Sequence, residues 1–235
     1  MRAWRDFTRK FMILLSADTS GKYGSVALAR GSDRGHCDVL EVVPLAGGTF
    51  SAQLVPQISA LLSKHRVRKE DIDGLVVASG PGSFTGLRVG LAAIKALAEI
   101  LDKPVAAVSL LEAIARASGV QGRIISLLDA GRGEVYVGEC EIRGDSAEML
   151  SERLLPRNEA LAGRQTAKFV TADKVLADEA MAAGLSVITI EPVNAGKIAG
   201  IGWRMIQART TVSPLELEAN YIRRSDAEIF AKKSF

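Results

Sequence analysis

The sequence is poor in the side chains that hold metals or carry thiol chemistry. Its 235 residues include two histidines, His36 and His65, and two cysteines, Cys37 and Cys140, with no C-x-x-C pair. A zinc site needs three or four convergent ligands, so both histidines read as surface or packing residues. Cysteines this far apart read as reduced thiols of a cytoplasmic protein, not as a disulfide framework. No apolar run approaches the roughly 18 residues that a membrane span requires. The opening MRAWRDFTRKF lacks the apolar core of a secretory signal. Excess charge is missing as well. The formal charge of +3 resides in Arg2, Arg5, Arg9 and Lys10 against Asp6, leaving 26 positive and 26 negative side chains in residues 12–235. A chain that grips a polyanion alone shows a basic face, and a neutral total gives no sign of one. Met12 directly precedes the first strand pattern and is a candidate start. Residues 1–11 are therefore expected to be an extension foreign to the domain, mobile or weakly packed.

What is present is a succession of short strands and helices. Ile13–Ala17 is an apolar run ending at Asp18-Thr19-Ser20, and Gly24–Ala29 returns as its hairpin partner. Val39–Val43 reads as a third strand. Leu54, Val55, Ile58, Leu61 and Leu62 mark one face of a helix over Ser51–Lys64, with Thr49 or Ser51 as its cap; Pro56 must sit in its first turns or kink it. After a buried-type strand at Leu75–Ala78, Leu87, Leu91, Ile94, Ala98 and Leu101 form the stripe of a second helix. Ser83 or Thr85 caps it. Val105–Val108 and Leu110–Ala117 give another strand and helix. The opening pattern then recurs: Ile124–Leu128 ends at Asp129, followed by a glycine turn and a return strand over Glu134–Ile142. A weak repeat of this kind predicts two lobes built on one plan. Strands near Lys168–Val170 and Val187–Ile190, with helices near Lys174–Ala183 and Asn194–Ala208, complete an α/β pattern of mixed sheets flanked by helices.

The stretch ASGPGSFTGLRVG, Ala78–Gly90, is the most distinctive. A Walker A loop requires G-x-x-x-x-G-K-[ST], but Leu87 follows Gly86. A dinucleotide fingerprint requires G-x-G-x-x-G, and Gly80, Gly82 and Gly86 are one residue too wide. A nucleophile elbow requires G-x-S-x-G, and Ser83 directly follows Gly82. Two readings stand: a tight turn that delivers a core helix, or an anion site made by free amides at a helix start. Asp18 and Asp129 each end an apolar strand, where each either serves chemistry or caps its own turn.

These strings carry a resemblance. Met12–Ser20, Ser79–Gly90, Leu128–Tyr136 and the Tyr221-x-Arg223 signature resemble the TsaB (YeaZ) family, over residues 12 to about 224. The resemblance implies an actin-like, ribonuclease H-like two-lobed fold of the sugar kinase, Hsp70 and actin type. On that plan, residues 12–108 form the first lobe, with about 212–235 a candidate to return to it, and 109–211 form a second, smaller lobe. It also implies a cytoplasmic, non-catalytic scaffold subunit for synthesis of threonylcarbamoyladenosine at tRNA position 37. The partners implied are the catalytic paralogue TsaD, the ATPase TsaE, tRNA through the complex, and a second copy in isolation. ATP and a divalent metal are expected in the partner subunits, with no cofactor in this chain. The alternative is a stand-alone M22-type peptidase or an actin-fold ATPase or phosphotransferase.

The same resemblance assigns residues. TsaD-like proteins carry two metal-binding histidines one helical turn apart, and Leu110 and Ile114 stand in those places. Hydrocarbon cannot coordinate a divalent metal. Phe50 stands where many relatives have histidine, which is expected to alter packing at that helix. The helices over Ser51–Lys64 and Gly86–Leu101 are the family's pairing helices. The partner surface is expected at Gln53, Gln57, Ala60, Leu61 and Ala93. Asp18, Thr19, Ser20, Gly82, Ser83 and Asp129 are candidate vestigial phosphate loops.

Overall fold

A computed structural model describes residues 11–32, 36–162 and 167–223. The expected extension lies outside these residues up to residue 10; Phe11 is the first residue of strand β1. The described chain forms two compact units, and its path enters each more than once.

The first unit holds residues 11–78, 85–108 and 194–218. Strands β1 (Phe11–Asp18), β2 (Gly24–Ser32) and β3 (Cys37–Leu45) form an antiparallel meander. Helix α1 (Phe50–Lys64) leads to β4 (Gly74–Gly80), which lies parallel to β1. Helix α2 (Phe84–Leu101) follows, then β5 (Val105–Ser109), giving the order β3-β2-β1-β4-β5. All seven residues of β4 are buried, the near-continuous apolar run of a strand covered on both faces. Because α2 begins at Phe84, Ser83 rather than Thr85 stands at its cap position.

The second unit holds 79–84, 109–193 and 219–223. After α3 (Leu110–Ala117), strands β6 (Gly122–Gly131), β7 (Glu134–Arg143) and β8 (Ser146–Pro156) form another meander. The β6–β7 turn has Arg132 and Gly133 at φ 58° and 75°, the paired left-handed residues of a type I′ hairpin. A single turn, α4 (Arg157–Ala160), precedes β9 (Lys168–Thr171), α5 (Lys174–Ala182) and β10 (Ser186–Thr189). The sheet order is β8-β7-β6-β9-β10, with β9 parallel to β6. Counted from its meander edge, each sheet runs third, second, first, fourth, fifth strand. The repeat seen in the sequence is thus a repeat of topology, and the fold is the actin-like one. Strand β8 went unmarked in the sequence pattern.

Helix α6 (Ala195–Gln207) differs from the expected plan, which placed 109–211 in one lobe. It packs on β1, β2 and β3 of the first sheet. Glycines explain the fit. A Cβ on Gly31 would lie 2.5 Å from the Trp203 ring, one on Gly74 2.6 Å from Ile206, and one on Gly202 2.4 Å from Val76. Large side chains therefore seat where the opposing backbone carries none. At the helix start, Ser16 Oγ donates to Ala195 O at 2.7 Å, and Ala195 N–H donates to Ser25 Oγ at 2.8 Å. Of the segment expected to return to the first lobe, residues to Glu218 lie in the first unit and Ala219–Arg223 in the second. Residues 224–235 lie outside the described residues. Among the described residues, no helix is long and apolar enough to cross a membrane.

Candidate functional site

Helix α1 carries no charged residue from Phe50 to Ser63. It buries Phe50, Leu54, Ile58, Leu61 and Leu62. At about 100° per residue, Gln53, Gln57 and Ala60 fall to one side of that stripe and Val55 to the other. Ala60 is exposed, Gln53 and Gln57 are half-buried, and Val55 is 61% exposed. Leu61, expected on the partner surface, is 2% exposed and belongs to the core. Val55, expected in the core stripe, belongs to the surface. Gln53 also holds the helix entry, accepting from Ala46 N–H at 3.1 Å and donating to Thr49 Oγ1. Phe50 is buried over β2, where a Cβ on Gly24 would lie 2.8 Å from its ring. Phenylalanine at this position is a packing residue.

Helix α2 carries two apolar stripes. Leu87, Leu91, Ile94 and Ala98 are buried. Val89, Ala93, Ala96 and Ile100 form a second row at spacings of four, three and four, which is one helix face. Val89 and Ala93 are half-buried, Ala96 is exposed, and Ile100 is 73% exposed. The charged residues Arg88, Lys95 and Glu99 lie on the opposite flank. The sequence held the signal for this row, but the stronger buried stripe masked it.

The Asp18-Thr19-Ser20 turn is closed inward. Asp18, Thr19 and Ser20 are 5%, 2% and 3% exposed. Asp18 Oδ1 accepts from both Ser20 N–H and Ser20 Oγ. Burial pushes the Asp18 carboxyl above its ordinary range, and the two Ser20 hydrogen bonds partly oppose this. Thr19 Oγ1 donates to Gly86 O at 2.7 Å, and a Cβ on Gly90 would lie 2.4 Å from the same oxygen. The hydroxyls of this turn are thus committed to the turn itself and to α2. In the second unit, Asp129 Oδ1 accepts from Arg157 Nη2 at 2.8 Å, and the other guanidinium nitrogen reaches Glu179 at 3.0 Å. Asp129 is one end of an ion-pair bridge from the β6–β7 hairpin to α5. Gly82 is half-buried and Ser83 exposed in the turn after β4. Of the expected loop residues, Asp18, Thr19 and Ser20 belong to the first unit, and Gly82, Ser83 and Asp129 to the second.

Leu110 and Ile114 lie one turn apart on α3, 6% and 3% exposed. Ile114 packs with Ala115, Ile124, Cys140, Ile142 and Val170. Alkyl groups in a packed core fit no metal ion, so the two positions do not suit the group that the resemblance places there in TsaD-like proteins. Among the described residues, no three His, Cys, Asp or Glu side chains gather as a ligand set. His65 Nε2 instead meets Glu41 at 2.8 Å, and Lys64 meets the other Glu41 oxygen at 2.7 Å, fastening the end of α1 to β3. The Cys37 and Cys140 thiols are free, and burial pushes both up to about 11.

The protein-family model described as TsaD, tRNA N6-adenosine threonylcarbamoyltransferase, matches residues 42–207. The tRNA threonylcarbamoyladenosine biosynthesis protein TsaB of Bacillus subtilis is 37% identical over 129 residues, 54% of this chain and 54% of that protein. Its namesake from Haemophilus influenzae is 32% identical over 148 residues, 60% and 61% of the two chains. The chain thus spans about half to three fifths of the length of these curated relatives. The structure of YeaZ from Pseudomonas aeruginosa superposes with a TM-score of 0.71 at 23% identity, covering 89% of this chain and 99% of that one. At that identity the likeness is one of fold.

Proposed function

The chain belongs to the family of the TsaD model and, within it, to the TsaB/YeaZ group, and from that premise we propose that it serves tRNA threonylcarbamoyladenosine synthesis as a non-catalytic partner subunit. Its occupant is a TsaD paralogue, docked on the uncharged flanks of α1 and α2; in isolation a second copy takes that surface. The TsaE ATPase and tRNA join through the larger complex, in the cytoplasm. ATP and a divalent metal act in the partner subunits, and this chain holds neither.

The observation that carries the reading is on α3. Where a catalytic relative would place nitrogen ligands, this chain buries Leu110 and Ile114 in its core. The apolar Val89–Ile100 row of α2, half-buried at Val89 and Ala93 and exposed at Ala96 and Ile100, supports docking, because apolar side chains in register on a helix face gain free energy only when covered. Co-purification with TsaD, followed by reconstitution of tRNA modification with and without this chain, tests the proposal. Modification is expected to need both proteins, and the isolated chain is expected to show neither ATP turnover nor peptidase activity. Threonylcarbamoyl transfer, ATPase or peptidase activity by the chain alone would establish the enzyme alternative.

A further inference from the structure

The segment Ala219–Arg223 has no ladder of its own, yet it is fastened at successive points within the second unit. Asn220 N–H donates to Ser79 O at 2.7 Å, and Asn220 Nδ2 donates to Glu152 Oε2. The Tyr221 ring lies against Phe84, 4.9 Å between centroids. Arg223 Nη2 donates to Glu134 Oε2 at 2.5 Å, with the guanidinium 5.9 Å from the centre of the Tyr136 ring. Glu152 has a second task. Its Oε1 accepts from Ser109 Oγ, and that hydroxyl caps α3 by accepting from Leu111 and Glu112 N–H at 3.2 and 3.3 Å.

We propose that Ala219–Arg223 is a releasable strap, pinned by Arg223 and Glu152, that holds the glycine turn Ser79–Phe84 in place and opens as one piece. The reason is the arrangement in series. Asn220 and Tyr221 meet the turn, at Ser79 and Phe84, whereas Arg223 meets only the β6–β7 hairpin among these groups. An irregular segment held by a few partly exposed anchors sits at the low end of local stability. The Arg223 and Glu134 side chains are 25% and 36% exposed, so their pairing is modest in strength. Losing it frees the end of the strap and raises the entropy gained by letting go of the rest. This inference concerns side chains within one unit and stands whether or not the chain docks on TsaD.

Hydrogen exchange on the full chain, read by mass spectrometry, tests it. In Arg223→Ala, exchange at Gly82, Ser83 and Phe84 is expected to rise about 3- to 10-fold. The centres of β6 and β7 should keep their protection, which reports an intact fold. Arg223→Lys retains the charge and should fall between the two. Asn220→Asp sets a second carboxylate against Glu152, and this repulsion should open the same turn from the other anchor. A rise confined to Gly131–Glu134, or unchanged exchange at Ser83 and Phe84 in Asn220→Asp, would overturn the strap.

Discussion

Asp18 ends β1 with its carboxyl sealed inside the first unit and, among the described residues, only Ser20 to hydrogen-bond it. Burial raises its pKa above the ordinary 3.8, so the folded chain holds this proton more tightly than the unfolded chain does. The group favours folding most below pH 3.8 and loses that contribution as pH rises through the raised value. Near neutral pH a charged Asp18 is therefore a cost. Asp18→Asn keeps an acceptor for Ser20 N–H and removes the charge. It is expected to raise the thermal midpoint near neutral pH and to narrow that gain in acid. Melts across the pH range check this, and a lower midpoint at neutral pH would mean that the charge has a partner beyond Ser20. The sequence marked Asp18 by its place at a strand end. It could not show that the carboxyl faces inward, because that depends on α2, whose Gly86 and Gly90 close over the turn from more than 60 residues away.

The fit between α2 and the β1–β2 turn is a matter of missing side chains. Alanine is the better helix former at an interior glycine, yet Gly90→Ala places a methyl 2.4 Å from Thr19 Oγ1. Overpacking of this kind costs about 1–3 kcal/mol. Thr19→Ala alone loses the bond to Gly86 O, at roughly 1 kcal/mol. In the double variant the clashing oxygen is gone, and Thr19 Cβ, the next nearest atom, lies at an ordinary 3.6 Å. The double variant should therefore be more stable than the sum of the two losses allows, and a denaturant-unfolding cycle measures that coupling. At this scale most strands and helices were legible, because hydrophobic period is a local signal. Strand β8 was not. Its register slips where Cys140 faces Met149 and Glu139 faces Ser151, leaving Leu150 as an extra residue. That bulge reverses the alternation midway, so Ser146–Pro156 shows no steady period. The α1 stripe was legible too, Leu61 included, but its edge was not: Val55 reads as part of the stripe and is 61% exposed, since an apolar residue at a stripe's edge fits either side.

For the molecule as an assembling body, the uncharged flanks of α1 and α2 are what a partner would cover. Ala60 and Ala96 are exposed, so Ala60→Glu and Ala96→Glu should leave the melting behaviour within about 0.5 kcal/mol of the parent. Each should weaken co-purification with TsaD at least tenfold, since a charge buried unpaired in an interface is costly. Unchanged association for both would remove this surface from the proposal. The two-lobed plan was legible from the repeated strand–Asp–glycine turn, whereas the home of α6 was not. Its stripe reads as amphipathic wherever it sits, and the glycines that receive it, Gly31 and Gly74, lie more than 120 residues earlier. The placement of α6 has a consequence for synthesis. Chains emerge from the ribosome N-terminus first, so β1–β5 are made long before the helix that covers them. Residues 109–193, which make up most of the second unit, are complete while the first sheet still lacks α6. A nascent chain stopped before Ala195 would therefore leave a bare apolar sheet face for chaperones to shield, and one extended past Gln207 would not.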